Sequence, residues 1–136
     1  MMLSPSEIVF KMYDNDAYSR WLGIVIDKVE LGTVELSLEV RSEMLNGFQV
    51  LHGGISYALA DSAFAFASNS LGYQAVSIET SISHLRKVEK GEVLRAYAQK
   101  LSSGRSIGVY EVQVYSGQSL VASFRGTVAI SKRIWD

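Results

Sequence analysis

Residues 52–72 read HGGISYALADSAFAFASNSLG, and this stretch decides the fold. Its alanine, leucine and phenylalanine residues predict a helix over residues 55–70 that ends at Gly72. These apolar residues occupy every face of the helix instead of one stripe. Because a helix that is apolar all round has to be covered on several sides, the rest of the chain is expected to enclose it.

The segments around this helix carry the patterns of β-strands. Residues 34–40 alternate apolar with polar side chains in a strict period of two, which predicts a half-buried antiparallel strand. The apolar run over residues 21–29 predicts a well-buried strand, and Gly126 predicts a bend or bulge in the last strand. Ser4 followed by Pro5 predicts a short helix near the N-terminus. Further strands are predicted over residues 75–85, 93–101, 107–115 and 120–131.

Together these elements predict an α+β fold in a single domain spanning residues 1–136. A curved antiparallel sheet of five or six strands wrapped around the long helix buries that helix on several sides, and the short helix precedes the sheet. The outer edges of such an open sheet need covering, which predicts self-association.

Composition excludes several classes of protein. The chain has no cysteine, which excludes a disulfide scaffold, a cysteine-ligated metal and a cysteine nucleophile, and suits the cytoplasm. Two histidines leave little for a metal site, and a net charge of −1 offers nucleic acid no basic surface. The longest apolar run, residues 55–67, contains Asp61 and is shorter than the roughly 20 residues of a membrane helix. We therefore expect no metal and no nucleic-acid or membrane partner.

Asp61 needs an explanation because it lies in the middle of the predicted buried helix. An unpaired carboxylate in such a place is costly or has a raised pKa, so it has either a partner or a chemical task. On the residues alone both readings stay open: a loop cap or ion pair, or catalysis. Gly53-Gly54 at the helix start permits close approach of a ligand and frees amides that can hold negative charge, although the pair also suits a plain turn.

Helix geometry limits how these two features can cooperate. Gly54 and Asp61 are seven residues apart, so they share a face but stand about 10 Å apart along the axis. A carbonyl on the amides and a water on the carboxylate must come within about 3 Å of each other. One helix cannot satisfy both conditions, whereas two antiparallel copies across a two-fold axis can. If Asp61 is catalytic, the active unit is at least a dimer.

The motif around these residues resembles the hot-dog-fold acyl-CoA thioesterases, and within them the phenylacetate-degradation thioesterase group. The combination of Asn46, His-Gly-Gly at residues 52–54 and an aspartate on the following helix carries the resemblance. It covers residues 22–130, nearly the whole chain. The matching stretches are NGFQVLHGG (residues 46–54), LADSAFA (59–65), Asn69-Ser70, Leu85-Arg86, GEVL (91–94) and Gly104-Arg105-Ser106.

The resemblance implies a hydrolase that cleaves acyl-CoA, with aryl-acyl-CoA as the expected substrate, to the free acid and coenzyme A without a cofactor. It implies that Asp61 is the general base or nucleophile and that the Gly53 amide polarises the thioester carbonyl. Asn46 and His52 would hold the carbonyl and the thiol, and Ser77 would position the attacking water. In this family Asp61 and Ser77 come from one subunit and the other three residues from its partner. The implied assembly is a homodimer at minimum and a homotetramer of two dimers.

Further positions are assigned to the remainder of the substrate. Gly54 lies beside the carbonyl site, and the glycine-rich turn around Arg105 makes that residue the best candidate for a phosphate of coenzyme A, together with Arg86. The acyl pocket is assigned to three aromatic residues: Tyr57, Phe64 and Phe48.

Two positions depart from the family pattern. Lys87 stands where proline is common, and His84 stands where an aromatic residue is usual. Because it falls within a strand pattern, His84 is predicted to have a packing or surface role.

Two other functions stay open at this point. A hot-dog domain can bind acyl-CoA as a sensor without turnover, although no DNA-binding segment accompanies it here. A hot-dog dehydratase or hydratase could use His52 with Asp61 on the carbon chain of the substrate. Release of free thiol, against loss of an enoyl chromophore, distinguishes hydrolysis from hydration.

Overall fold

The first element is the predicted short helix, α1 (Pro5–Asp14). The computed structural model describes residues 2–136. Ser4 accepts a hydrogen bond from the Glu7 amide while the Glu7 side chain accepts one from the Ser4 amide, so a capping box starts the helix. Ile8 and Val9 of α1 are fully buried, which attaches this helix to the domain.

The predicted strand over residues 21–29 is wrong in two respects. A second helix, α2 (Ala17–Leu22), occupies its first part, capped by Asp16 and ended by Gly23 in the left-handed conformation at φ 83°. The strand that follows, β1 (Val25–Glu30), is not well buried but mostly exposed. Its exposure follows from its place at one edge of the sheet.

The strands after β1 are β2 (Thr33–Glu39), β3 (Tyr73–His84), β4 (Val93–Ser103), β5 (Ile107–Ser116) and β6 (Ser119–Ile134). All six form one antiparallel sheet, as predicted, in the order β1-β2-β4-β5-β6-β3. The third strand leaves the sequence order and forms the edge opposite β1.

The long helix α3 (Gly53–Asn69) lies in the concave face of this sheet, which confirms the predicted enclosure. It begins two residues before the predicted start, because His52 caps it. It packs against β2 to β6 and against both N-terminal helices. Alternate residues of the strands meet it and are almost fully buried, among them Leu36, Leu94, Ala96, Val112 and Phe124. No helix within residues 2–136 is long and apolar enough to cross a membrane.

Gly126 makes room for the helix and does not mark a bend or bulge. It pairs in regular register with Tyr110 of β5 and Thr80 of β3. A Cβ at this position would lie 2.6 Å from Cζ of Phe64, so any side chain here would collide with the phenyl ring. The missing side chain thus lets α3 approach the sheet closely.

Asn69, the last residue of α3, fixes the helix to the edge strand β3. Its side-chain amide donates to the carbonyl oxygens of Ala65 (2.8 Å) and Ala75 (3.1 Å), and its oxygen accepts from the Ala75 amide (2.9 Å). The indole N–H of Trp135 donates to the same oxygen at 2.9 Å. One buried side chain therefore joins the helix end, the edge strand and the C-terminal segment.

The edge strand β3 exposes apolar side chains in its central part. Val76 is 66% exposed and Ile78 is 57% exposed. One long side of this strand pairs with β6, and in the single chain the other side has no strand beside it. An apolar, unpaired edge of this kind is a surface for pairing with another chain.

Candidate active site

The N-terminus of α3 presents one free amide. His52 caps the helix by accepting a hydrogen bond from the Gly54 amide on Nδ1 at 2.8 Å. That bond leaves the Gly54 amide unavailable to a ligand, although the sequence pattern assigns Gly54 to substrate binding. The Gly53 amide has no acceptor among residues 2–136, and it points out of the first turn, where the helix dipole favours negative charge. The Gly53 N–H is therefore the backbone group that is free to donate a hydrogen bond to a carbonyl oxygen.

Asn46 supplies a second donor next to this amide. Its side-chain oxygen accepts from the amides of Phe48 (2.9 Å) and Val50 (3.3 Å), which closes the loop that precedes the helix. Asn46 Nδ2 is left without a hydrogen-bond partner within residues 2–136. Because the oxygen is held by the loop, the orientation of the amide group is fixed, and its N–H groups are left free to donate to a ligand.

Asn46 and Gly53 line one cavity of about 390 Å³. The cationic side chains of Arg86 and Lys87 line the same cavity, which fits the sequence assignment of Arg86. The other residues of its wall are Leu51, Ser56, His84, Leu85, Val88 and Val121. The cavity therefore combines two donors for a carbonyl oxygen with two positive charges.

His84 is the exposed last residue of β3, in keeping with its predicted strand position, and it also lines this cavity. Its ring lies against Gly53: a Cβ on that glycine would stand 3.1 Å from both Cε1 and Nε2 of the imidazole. Nδ1 lies 3.4 Å from Oγ of Ser56. The strand pattern placed His84 near the end of a strand, but no local signal shows that this strand end meets the start of α3.

Asp61 lies two turns further along α3 and does not line this cavity. It is eight residues from Gly53, about 12 Å along the helix axis. Its side chain is partly buried, and no hydrogen bond or ion pair to it exists among residues 2–136. Burial, with the nearby Asp16 carboxylate as the second cause, raises the pKa of Asp61 above its ordinary value. The absence of a cap or ion pair removes the structural explanation for this carboxylate in the single chain.

A short polar network lies beside Asp61. The Asp16 carboxylate accepts from the Ser19 amide (3.0 Å) and hydroxyl (2.6 Å), and the Ser19 hydroxyl lies 2.7 Å from that of Ser62. This network ties α2 to the helix turn that carries Asp61. Since α2 was not predicted, sequence reasoning could not identify Asp16 as a neighbour of Asp61.

Two of the predicted residues lie toward the edge strand. Ser77 is an exposed residue of β3 and makes no hydrogen bond to Asp61 within one chain. Tyr57 is half-buried, its hydroxyl lies 2.6 Å from that of Thr80 on β3, and its ring packs against Phe124 with centroids 5.7 Å apart. Both residues thus face the sheet edge where a second chain could pair.

The assignment of Phe64 to the acyl pocket is wrong. Phe64 is 1% exposed and fills the space between helix and sheet, with its ring centroid 5.5 Å from Phe124 and 6.1 Å from Tyr110. It is a core residue because it points toward Gly126 and away from the exposed face of α3. Phe48 is 88% exposed at the tip of the loop and does not line the cavity at Gly53.

Arg105 lies far from Gly53 within the chain. It lines a separate cavity of about 540 Å³ together with Ser68, Tyr73 and Lys132. This cavity is at the C-terminal end of α3, whose 17 residues span about 25 Å. Arg105 can approach the Gly53 cavity only if two chains combine.

The chain is similar to known proteins in both sequence and structure. A family model described as the thioesterase superfamily matches residues 48–123. The acyl-coenzyme A thioesterase PaaI of Escherichia coli is 42% identical over 116 residues, which cover 85% of this chain and 83% of that protein. The structure of the PaaI protein from the phenylacetic acid degradation operon of E. coli superimposes with a TM-score of 0.93, 37% identity and coverage of 96% of this chain and 95% of that one. A Streptococcus mutans protein bound to acetyl-CoA gives a TM-score of 0.80 at 26% identity, covering 82% and 91%.

The fold and these likenesses define a class, the hot-dog-fold thioester hydrolases. The chain belongs to the thioesterase superfamily, in the group that is similar to PaaI of E. coli. The resemblance inferred from the motif around Asn46 and residues 52–54 is confirmed.

Proposed function

We propose that the chain hydrolyses acyl-CoA thioesters, and aryl-acyl-CoA in particular, with a site completed by the Asp61 of a second subunit. One observation carries this proposal. One cavity is lined by two N–H groups that are free to donate to a carbonyl oxygen, on Gly53 and Asn46, but α3 of the same chain supplies no base to it. The unpaired carboxylate of Asp61 lies about 12 Å further along that helix. The absence of cysteine is in keeping with the cytoplasmic location that we also propose.

The position of Tyr57 supports a two-fold arrangement of this kind. Residue 57 is the midpoint between residues 53 and 61, so a two-fold axis at its level would bring Gly53 of one antiparallel helix opposite Asp61 of the other. The Tyr57 hydroxyl is hydrogen-bonded to that of Thr80, so the midpoint between Gly53 and Asp61 lies beside the exposed half of β3. Pairing of two β3 strands near Thr80 would cover Val76 and Ile78 at the same time. The homotetramer implied by the resemblance stays a prediction.

The chemistry then follows from the donors and the base. The Asp61 carboxylate takes a proton from a water molecule as the water oxygen attacks the thioester carbon, with Ser77 of the same subunit holding that water. The carbonyl electron pair moves onto oxygen, where the Gly53 amide and Asn46 Nδ2 donate to the oxyanion. When the carbonyl reforms, the carbon–sulfur bond breaks and its electron pair leaves on the sulfur, which takes up the proton held by Asp61 and so restores the carboxylate. Arg86 and Lys87 hold anionic groups of the thiol portion.

Thioester turnover is the direct test. Purified protein with phenylacetyl-CoA, benzoyl-CoA and octanoyl-CoA is expected to release free thiol, detected with a chromogenic disulfide, and to prefer the aryl substrates. The oxyanion donor pair and the cations are the reason to expect thiol release from a coenzyme A ester, whereas the expected preference for aryl substrates rests on the resemblance to the phenylacetate-degradation group. Binding of every acyl-CoA by calorimetry without thiol release would instead support the sensor, and hydration of crotonyl-CoA would support the hydratase.

Charge at the exposed edge of β3 tests the assembly. Ile78→Lys is expected to convert the dimer into monomers in light scattering and to lower the hydrolysis rate more than tenfold, because two lysines would meet beside the two-fold axis. Circular dichroism should show an intact fold, since Ile78 is 57% exposed and adds little to the core of one chain. Leu31→Lys, at a 67% exposed residue in the turn between β1 and β2, is the matched control and should stay dimeric and active. A fully active Ile78→Lys monomer would contradict the shared site.

A further inference from the structure

His84 is tied to Gly53 by a short chain of hydrogen bonds. The Ser56 hydroxyl donates to the Gly53 carbonyl oxygen at 3.1 Å. The hydroxyl has one hydrogen, so its oxygen can act toward His84 Nδ1, 3.4 Å away, only as an acceptor. A ring proton on Nδ1 satisfies this contact, and in that tautomer Nε2 carries a free lone pair.

In that tautomer the lone pair of Nε2 is available on the cavity side of the ring. His84 is one of the cavity's lining residues, and Nε2 is next to the Gly53 backbone, 3.1 Å from where a Cβ would stand. No residue among 2–136 donates a hydrogen bond to Nε2. The cavity thus contains two donors, on Gly53 and Asn46, and one acceptor beside them.

The charges along the cavity show which part of a substrate would meet this acceptor. Beyond His84 the chain continues with Leu85, and then Arg86 and Lys87 line both this cavity and an adjoining one of about 380 Å³. The adjoining cavity also contains the Glu92 carboxylate, whose two oxygens are held by the Glu89 amide and the Ser116 hydroxyl. With the thioester carbonyl on Gly53 and anionic groups at the two cations, His84 lies on the thiol side of the carbonyl.

We propose that His84 Nε2 accepts a hydrogen bond from the amide N–H that follows the thioester sulfur in pantetheine thioesters. Two methylene groups separate that nitrogen from the sulfur, so the amide can reach a group next to Gly53 while the carbonyl stays on the Gly53 amide. His84 then selects for a pantetheine arm over a simple alkyl thiol. This inference rests on the proposed function, because it assumes that a thioester carbonyl occupies the Gly53 site.

The test uses two thioesters that differ by one N–H group. Phenylacetyl thioesters of N-acetylcysteamine and of 2-acetoxyethanethiol have the same shape, but the second has an ester oxygen where the first has the amide N–H. We expect the native protein to favour the amide by about tenfold in kcat/KM, through KM, as for one hydrogen bond to a substrate. His84→Phe should reduce the preference to near one, and His84→Gln, whose side-chain oxygen can accept the bond, should restore most of it.

The ratio of the two rates is measured on one protein sample, so partial unfolding of a variant cancels out. Ser83→Ala, at the residue of β3 that precedes His84, is the matched control and should keep the native preference for the amide. An unchanged preference in His84→Phe, or a native protein indifferent to the N–H, would overturn the inference and leave the proposed function standing, provided that phenylacetyl-CoA is hydrolysed. Failure of the native protein to release thiol from any thioester would instead refute the proposed function itself.

Discussion

Asp61→Asn is expected to lower kcat for acyl-CoA hydrolysis by about 10²- to 10⁴-fold, the range for loss of a general base. KM should change little, because the donors on Gly53 and Asn46 and the two cations stay in place. The amide keeps the shape of the side chain but cannot take a proton from water. Thiol release under substrate saturation measures the effect. Asp14→Asn, which removes an exposed carboxylate at the end of α1, is the control and should keep full activity.

Asp61→Asn should also be more stable than the native protein at neutral pH. Burial and the Asp16 carboxylate raise the pKa of Asp61, so the ionised form is disfavoured in the folded chain. The cost is absent in acid, where the carboxyl is protonated in both states, and is complete above the raised pKa. Thermal unfolding of Asp61→Asn should therefore match the native protein near pH 3 and exceed it at pH 7. A rate within twofold of native, or lower stability at pH 7, would contradict the role of Asp61 as an unpaired buried base.

Two inactive chains are expected to restore activity when they are combined. Asn46→Asp keeps the oxygen that accepts from the loop amides but loses the Nδ2 donor and adds charge where the oxyanion forms. Asn46→Asp and Asp61→Asn homodimers should each be nearly inactive. In a mixed dimer, one of the two sites combines native Asn46 of one chain with native Asp61 of the other. Random mixing makes half of the dimers mixed, so co-expression should give about a quarter of the native rate.

Differently tagged chains allow the mixed dimer to be purified, and it should then show about half of the native activity. A chain that carries both substitutions, paired with the native chain, has no intact site and serves as the control. If Asp61 acted on the Gly53 cavity of its own chain, the first pair would remain inactive and this control would keep one working site. The two arrangements therefore give opposite results in one pair of samples.

The helix was predictable because α3 is apolar on every face and could only be enclosed. Because α3 is apolar on every face, its sequence does not show which face the sheet leaves uncovered. Phe64 and Tyr57 look alike in the sequence, yet Phe64 fills the space over Gly126 while Tyr57 reaches the edge strand. Asp61 is the one residue whose charge marks the uncovered face, and for that reason its spacing from Gly54 is enough to predict a dimer.

Contacts between distant segments explain what was missed. α2 carries ordinary end signals at Asp16 and Gly23, but its six residues run into an apolar stretch that looks like strand. The position of His84 depends on how far β3 runs along α3, which no local pattern records. The exposure of β1 likewise depends on strand order, because the same residues between two neighbours would be buried.

The bare side of β3 also affects the fate of a newly made chain. If the proposed dimer forms, each copy displays Val76 and Ile78 beside unpaired backbone amides and carbonyls before it pairs, and such an edge is the template that misfolded aggregates extend. Hydrogen bonds of the Asn69 side chain to Ala75 and Trp135 hold the start of this exposed strand against the end of α3. Slow synthesis or a low copy number would prolong that interval, and the yield of native protein would then depend on how quickly two chains find each other.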